Sequence, residues 1–232
     1  MVRCVGENAV VDFDPEGLTP EERQAFASLA DRGVADLQRL LASRSSERVR
    51  FVVSGRISIS RTSGRTVLLP LFRVRDGRAP YLHEIVHALL PTSNQSAWLS
   101  EGLACYLESW VAANVGGYDA HVFTRAGDGE IHAAARRWAH TDAGRAVLPW
   151  VGAPGEPPGM SEDRDTVARP FYVLAHSFTK YLVDHLGLEA VLGLARESDP
   201  ERALLQESGR SVERWRDDWL GAGTADRPGV VP

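Results

Sequence analysis

Apolar positions along the chain change their period several times, and each change predicts an element. Ala9 to Phe13 (AVVDF) is a short apolar run closed by Asp14 and Pro15, which reads as a strand and a turn. Thr19 then precedes Pro20, Glu21 and Glu22: an N-cap, a proline in the first turn, and acids against the positive end of a helix dipole. Phe26, Leu29, Ala30, Val34, Leu37 and Leu41 follow at helical spacing, so a helix over 20–42 buries one face. Two β-rich runs come next, RVRFVVSGRISIS and RTVLLPLFRV, separated by Thr62, Ser63 and Gly64. They predict an antiparallel pair joined by a tight turn, with the second run at the sheet edge because Pro70 lacks a donor. Such an edge would offer the backbone of Leu68, Leu69, Leu71 and Phe72 to an extended peptide.

Beyond Pro80 the pattern turns helical. YLHEIVHALL is stopped by Pro91, and SAWLSEGLACYLESWVAANV by Gly116 and Gly117. Residues 149–166 (PWVGAPGEPPGMSEDRDT) concentrate proline, glycine and acids and read as a long loop. Pro170 opens the apolar helix FYVLAHSFTKYLVDHL, capped by Gly187, and shorter amphipathic segments run to Leu220. The expected fold class is α+β: a small N-terminal antiparallel or mixed sheet followed by a mainly helical half, one domain over 1–221, with 222–232 a frayed tail.

Composition narrows the function without choosing it. The 232 residues are 44% hydrophobic and 25% charged, which suits a globular core. The 26 Lys and Arg against 31 Asp and Glu leave a net charge of −5, with no basic run to meet nucleic acid or a membrane surface. Cys4 and Cys105 form neither a CxxC motif nor a disulfide framework, and Cys105, among apolar neighbours, reads as a small buried hydrophobe. With no signal peptide and no spanning stretch, the chain as written reads as cytoplasmic; a mature secreted form fits the same residues.

The chemistry is carried by His83-Glu84-Ile85-Val86-His87. Residues four apart stack on one helix face, so both imidazoles can address one tetrahedral ion. Glu84, one residue past the first histidine, is placed to act as general base toward a water at that ion. A third ligand is needed, and Glu101 in Trp98-Leu99-Ser100-Glu101-Gly102-Leu103-Ala104 offers it, an acid between apolar flanks that needs a partner if buried. Two imidazoles and a carboxylate favour zinc and leave a position open for water.

HEIVH followed after a turn by WLSEGLA resembles the gluzincin zinc metallopeptidases, and the order of elements resembles the small peptidase-MA-like members across nearly the whole chain. The resemblance implies a thermolysin-like catalytic domain with zinc on His83, His87 and Glu101, and peptide or protein substrates. It implies that Glu108 supports a ligand from behind. YVLAHSFTKYLVDHLG is similar to a late family stretch whose tyrosine donates to the oxyanion, which implies that role for Tyr172. His176, four residues on, shares its helical face and is a second candidate donor, with Tyr118 and His121 as competitors. No Gly-x-Met-Glu-Asn stretch is present, so the free-amine recognition of the large aminopeptidases does not carry over. Two other functions use the same residues: a gluzincin-like fold acting on a non-peptide amide, ester or biosynthetic intermediate, and a non-catalytic metal-binding module.

Overall fold

The computed structural model describes residues 1–43, 46–90, 96–119 and 128–221; the expected tail, Pro91 and His121 lie outside the described residues. The fold is mixed α+β, with one five-stranded sheet and a mostly helical remainder. It groups into two compact units, Met1–Pro91 with Leu107–Arg125 and Thr92–Tyr106 with Ala126–Pro232.

The first unit holds β1 (Val2–Val5), β2 (Ala9–Phe13), α1 (Pro20–Leu40), β3 (Val49–Ser54), β4 (Arg61–Ser63), β5 (Thr66–Pro70), α2 (Leu71–Arg75) and α3 (Tyr81–Leu89). The helix α4 (Ala97–Asn114) is unbroken and runs through the division between Tyr106 and Leu107. α1 starts where its caps dictate: the Thr19 hydroxyl accepts from the Glu22 amide at 3.2 Å, and the Glu22 carboxylate accepts from the Thr19 amide at 2.7 Å. Alternate residues Val11 and Phe13 of β2, Phe51 and Val53 of β3, and Val67 and Leu69 of β5 are buried. Phe26 of α1 packs edge-on against Phe13, Phe51 and Tyr81, with centroids 6.2, 6.3 and 5.9 Å away, so one ring joins two strands, α1 and the first residue of α3.

The sheet order is β1-β2-β3-β5-β4. It corrects two expectations. β3 and β5 are parallel, and the antiparallel partner of β5 is the three-residue β4, reached through a turn at Gly64 with φ 55°. β5 is therefore flanked on both sides, and β4 is the edge. Pro70 is tolerated for another reason: β4 pairs only as far as Leu68, so the missing amide falls where no β4 residue faces it. The chain after Pro70 leaves the sheet as α2, so Leu71 and Phe72 belong to a helix and the substrate edge expected on β5 is withdrawn. β1, pairing antiparallel with β2, was not anticipated.

The second unit is helical throughout. After the start of α4 come α5 (Asp128–Ala139), α6 (Asp142–Val147), α7 (Arg169–Leu186), α8 (Leu188–Arg196), α9 (Pro200–Ser208) and α10 (Val212–Gly221). The expected long loop keeps its character apart from a 3-10 turn at Leu148–Trp150 and a π turn at Arg164–Ala168. Gly187, with φ 85°, ends α7 as expected. Phe171, Leu174, Phe178 and Leu182 of α7 form the centre of this unit, Phe178 lying 5.4 Å from Trp98 and 5.3 Å from Trp219. No described helix is long and apolar enough to cross a membrane.

Asp12 is 2% exposed between Arg3 at 2.6 Å and Arg50 at 2.8 Å, an ion ladder across three strands. Hydrogen bonding from Arg3, and then from Arg50, holds its carboxyl below the usual carboxylate range. A lowered folded pKa contributes stability that is complete above the unfolded value of about 4 and is lost as pH falls through the folded value. The Tm gap between wild type and Asp12→Asn, followed by circular dichroism from about pH 7 to about pH 2, is therefore widest at neutral pH and closes toward the acid end.

Candidate metal centre

Tyr81, Leu82, Ile85, Val86, Ala88 and Leu89 bury most of the surface of α3, and His83 and His87 occupy its half-buried strip. Their rings meet edge-on at 74° with centroids 4.8 Å apart, and their Nε2 atoms are 3.1 Å apart. Zinc–nitrogen bonds of about 2.0–2.1 Å in a tetrahedron place two nitrogens about 3.3 Å apart, so the pair needs to open by only a few tenths of an ångström.

Glu101 stands one turn into α4, with Trp98, Leu99, Leu103 and Ala104 fully buried around it. One nitrogen of each histidine and one carboxylate oxygen of Glu101 all lie within 4.8 Å of one another, the one such convergence of three ligand side chains among the described residues. The donor set fits a zinc ion chemically: two imidazoles and a carboxylate, none of them exposed enough to be fully hydrated.

Two features fix the start of α4. A Cβ on Gly102 would lie 2.1 Å from the Thr179 hydroxyl and 2.7 Å from the Ala175 carbonyl of α7, so only glycine lets the helices approach this closely. Glu201 of α9 accepts from the Ser96 hydroxyl at 2.6 Å and the Trp98 indole at 2.8 Å. Nothing in the sequence pattern signals Glu201, because its partners are over a hundred positions away.

Glu84 is 6% exposed. Its Oε2 accepts from the Thr62 hydroxyl at 2.8 Å, and its backbone carbonyl lies 3.0 Å from the same hydroxyl. Sequence reasoning placed Thr62 in a turn; it is the middle residue of β4, a strand too short for periodicity to reveal.

Glu108 is 1% exposed, two turns beyond Glu101 on the same helix. With burial as the main cause and Tyr118 next, its charge helps push the Tyr81 phenol well above its ordinary pKa. Tyr172 is half-buried on α7, and His176, 2% exposed, lies edge-on to Tyr106 at 6.5 Å. Tyr118 is committed elsewhere: it donates to Asp36 and sits under the Arg32 guanidinium at 4.7 Å, and burial followed by the Asp36 bond pushes its phenol up to about 12. Cys105 is buried and takes part in no disulfide among the described residues, in keeping with its reading as a small buried hydrophobe.

His132, Ser177 and Asp184 present the residue types of a serine hydrolase without its function. His132 Nδ1 is 2.8 Å from the Ser177 hydroxyl, which also accepts from the Trp219 indole at 3.0 Å, while Asp184 is 4.0 Å from His132 Nε2. Ser177 is 0% exposed, so its hydroxyl joins α5, α7 and α10 and reaches no substrate.

No protein-family model matches the chain, and no characterised protein matches it in sequence. Solved structures do match in fold. A two-domain M1 zinc metallopeptidase variant bound to L-arginine superposes with a TM-score of 0.53 at 16% identity, over 91% of this chain and 48% of its own. The M1 zinc metallopeptidase from Deinococcus radiodurans gives 0.52 at 15% identity, over 95% and 50%. A variant of it bound to a Tyr-Ser-Ala substrate gives 0.51 at 16%, over 91% and 47%. The likeness is one of fold, and this chain spans about half the length of those proteins.

Because a backbone carbonyl cannot rotate aside, Gly102→Ala must displace α4 from α7. Overpacking of this kind costs about 1–3 kcal/mol, a Tm drop of several degrees. Thermal unfolding checks it, and an unchanged Tm would mean the two helices are not in this contact.

Proposed function

We propose that this protein is a zinc-dependent peptidase of the gluzincin type, with His83, His87 and Glu101 as metal ligands and Glu84 as general base. The observation that carries the proposal is the 3.1 Å approach of the two Nε2 atoms, with a Glu101 oxygen within 4.8 Å, on the helix that also holds buried Glu84. Zinc, when bound, supplies a water of lowered pKa and a Lewis acid for the substrate carbonyl.

The chain's own residues do the rest. Glu84 accepts the proton of the attacking water and returns it to the departing amine. Tyr172 donates to the oxyanion that forms on the carbonyl, with His176 one turn further along the same face as the second donor. Peptides as substrates are supported by the fold neighbours, one of which was captured with a tripeptide. β4 ends the sheet, so an extended peptide has its outer edge to pair with. A purely structural metal site would have no use for a buried carboxylate beside it, which favours catalysis over a non-catalytic metal-binding module.

Glu84→Gln tests the assignment, because the amide keeps the shape but accepts no proton. With zinc-loaded protein and a peptide library, the variant retains about one zinc per chain and loses at least about 10²-fold in kcat. Hydrolysis at the wild-type rate by Glu84→Gln would remove Glu84 from the chemistry.

A further inference from the structure

We infer that Thr62, on the edge strand β4, is a positioning residue for the general base. The inference rests on the peptidase reading of Glu84 and assigns a function to a residue that reading does not use.

A glutamate has three rotatable side-chain bonds, and a base is effective only when its oxygen is held close to the proton it must take. Glu84 is 6% exposed, so water does little to satisfy its carboxylate and the protein must supply donors. Thr62 is one such donor. Its hydroxyl lies 2.8 Å from Oε2 and 3.0 Å from the backbone carbonyl of the same residue. The pairing of β4 with β5 holds that hydroxyl in place, so its bond to Oε2 fixes where the Glu84 side chain lies and sets its torsions. A hydroxyl has one proton, and the shorter distance gives that proton to the carboxylate. With Oε2 engaged by Thr62, Oε1 is the oxygen left for the water.

The placement of Thr62 is itself constrained. Its neighbours in β4, Arg61 and Ser63, are exposed, while Thr62 is half-buried toward α3. The pleat turns alternate residues to opposite faces, and the register Thr62 to Val67 fixes which face Thr62 takes. A one-residue slip of β4 would withdraw the hydroxyl from Glu84 altogether.

Thr62→Val keeps the shape and removes the donor, and Thr62→Ser keeps the donor. Thr62→Val lowers kcat at least about tenfold, with KM within about twofold of wild type and zinc content unchanged; Thr62→Ser restores kcat to within about threefold. A hydroxyl that only fastened β4 to α3 would leave kcat at the wild-type value and would lower Tm equally whether or not the Glu84 carboxylate is present. A second readout needs neither metal nor turnover. In metal-free protein, Thr62→Val lowers Tm by several degrees, and in a Glu84→Ala background that shift shrinks by at least half, because the two residues are coupled. Thr62→Ala serves in the same cycle if the valine variant folds poorly.

Wild-type kcat in Thr62→Val, or equal Tm shifts in both backgrounds, overturns the inference alone, provided Glu84→Gln silences the enzyme. Hydrolysis that survives Glu84→Gln, or a wild-type protein that cleaves no peptide, removes the peptidase reading and this inference with it.

Discussion

The proposed chemistry depends on holding two imidazole nitrogens 3.1 Å apart on one helix. At that distance two facing imidazoles can share a single N–H···N hydrogen bond, so the arrangement depends mainly on what surrounds it. α3 imposes it by burying nearly all of its other side chains, which leaves the helix no freedom to rotate about its axis. Phe26, edge-on to Tyr81 and to two strands, fixes the near end of α3 against the sheet. β4 then reaches α3 through Thr62, and Gly102 and Glu201 fix the start of α4, where Glu101 stands.

Much of this was legible in the sequence because it is written in local periodicity. The Thr19 to Glu22 cap, the apolar face of α1, the four-residue spacing of His83 and His87, and the Gly187 stop each depend on residues within a turn or two of one another. What escaped was long-range pairing. RVRFVVS and TVLLP both read as strands, but their parallel pairing follows from the three-residue β4, which no period can show. Pro70 was read correctly as a missing donor and assigned to the wrong cause, a strand edge in place of the end of a pairing partner. Thr62 and Glu201 carry no signal at all, since a single hydroxyl or carboxylate acquires its role only from what the fold brings to it.

The fold and the site give different kinds of information about function. Likeness to M1 zinc metallopeptidases at 15–16% identity extends over most of this chain and about half of theirs, so it speaks for the scaffold. Function has to be argued from the side chains, and the proposed one rests on His83, His87 and Glu101 as ligands with the buried Glu84 on the same helix as the histidines.

The central claim is the identity of the three ligands, and zinc-edge X-ray absorption of the loaded protein tests it most directly. The account predicts about one zinc per chain in a shell of nitrogen and oxygen at about 2.0–2.1 Å, with outer-shell scattering from two imidazoles. A sulfur shell at about 2.3 Å, scattering from three or more imidazoles, or failure to retain zinc would contradict it.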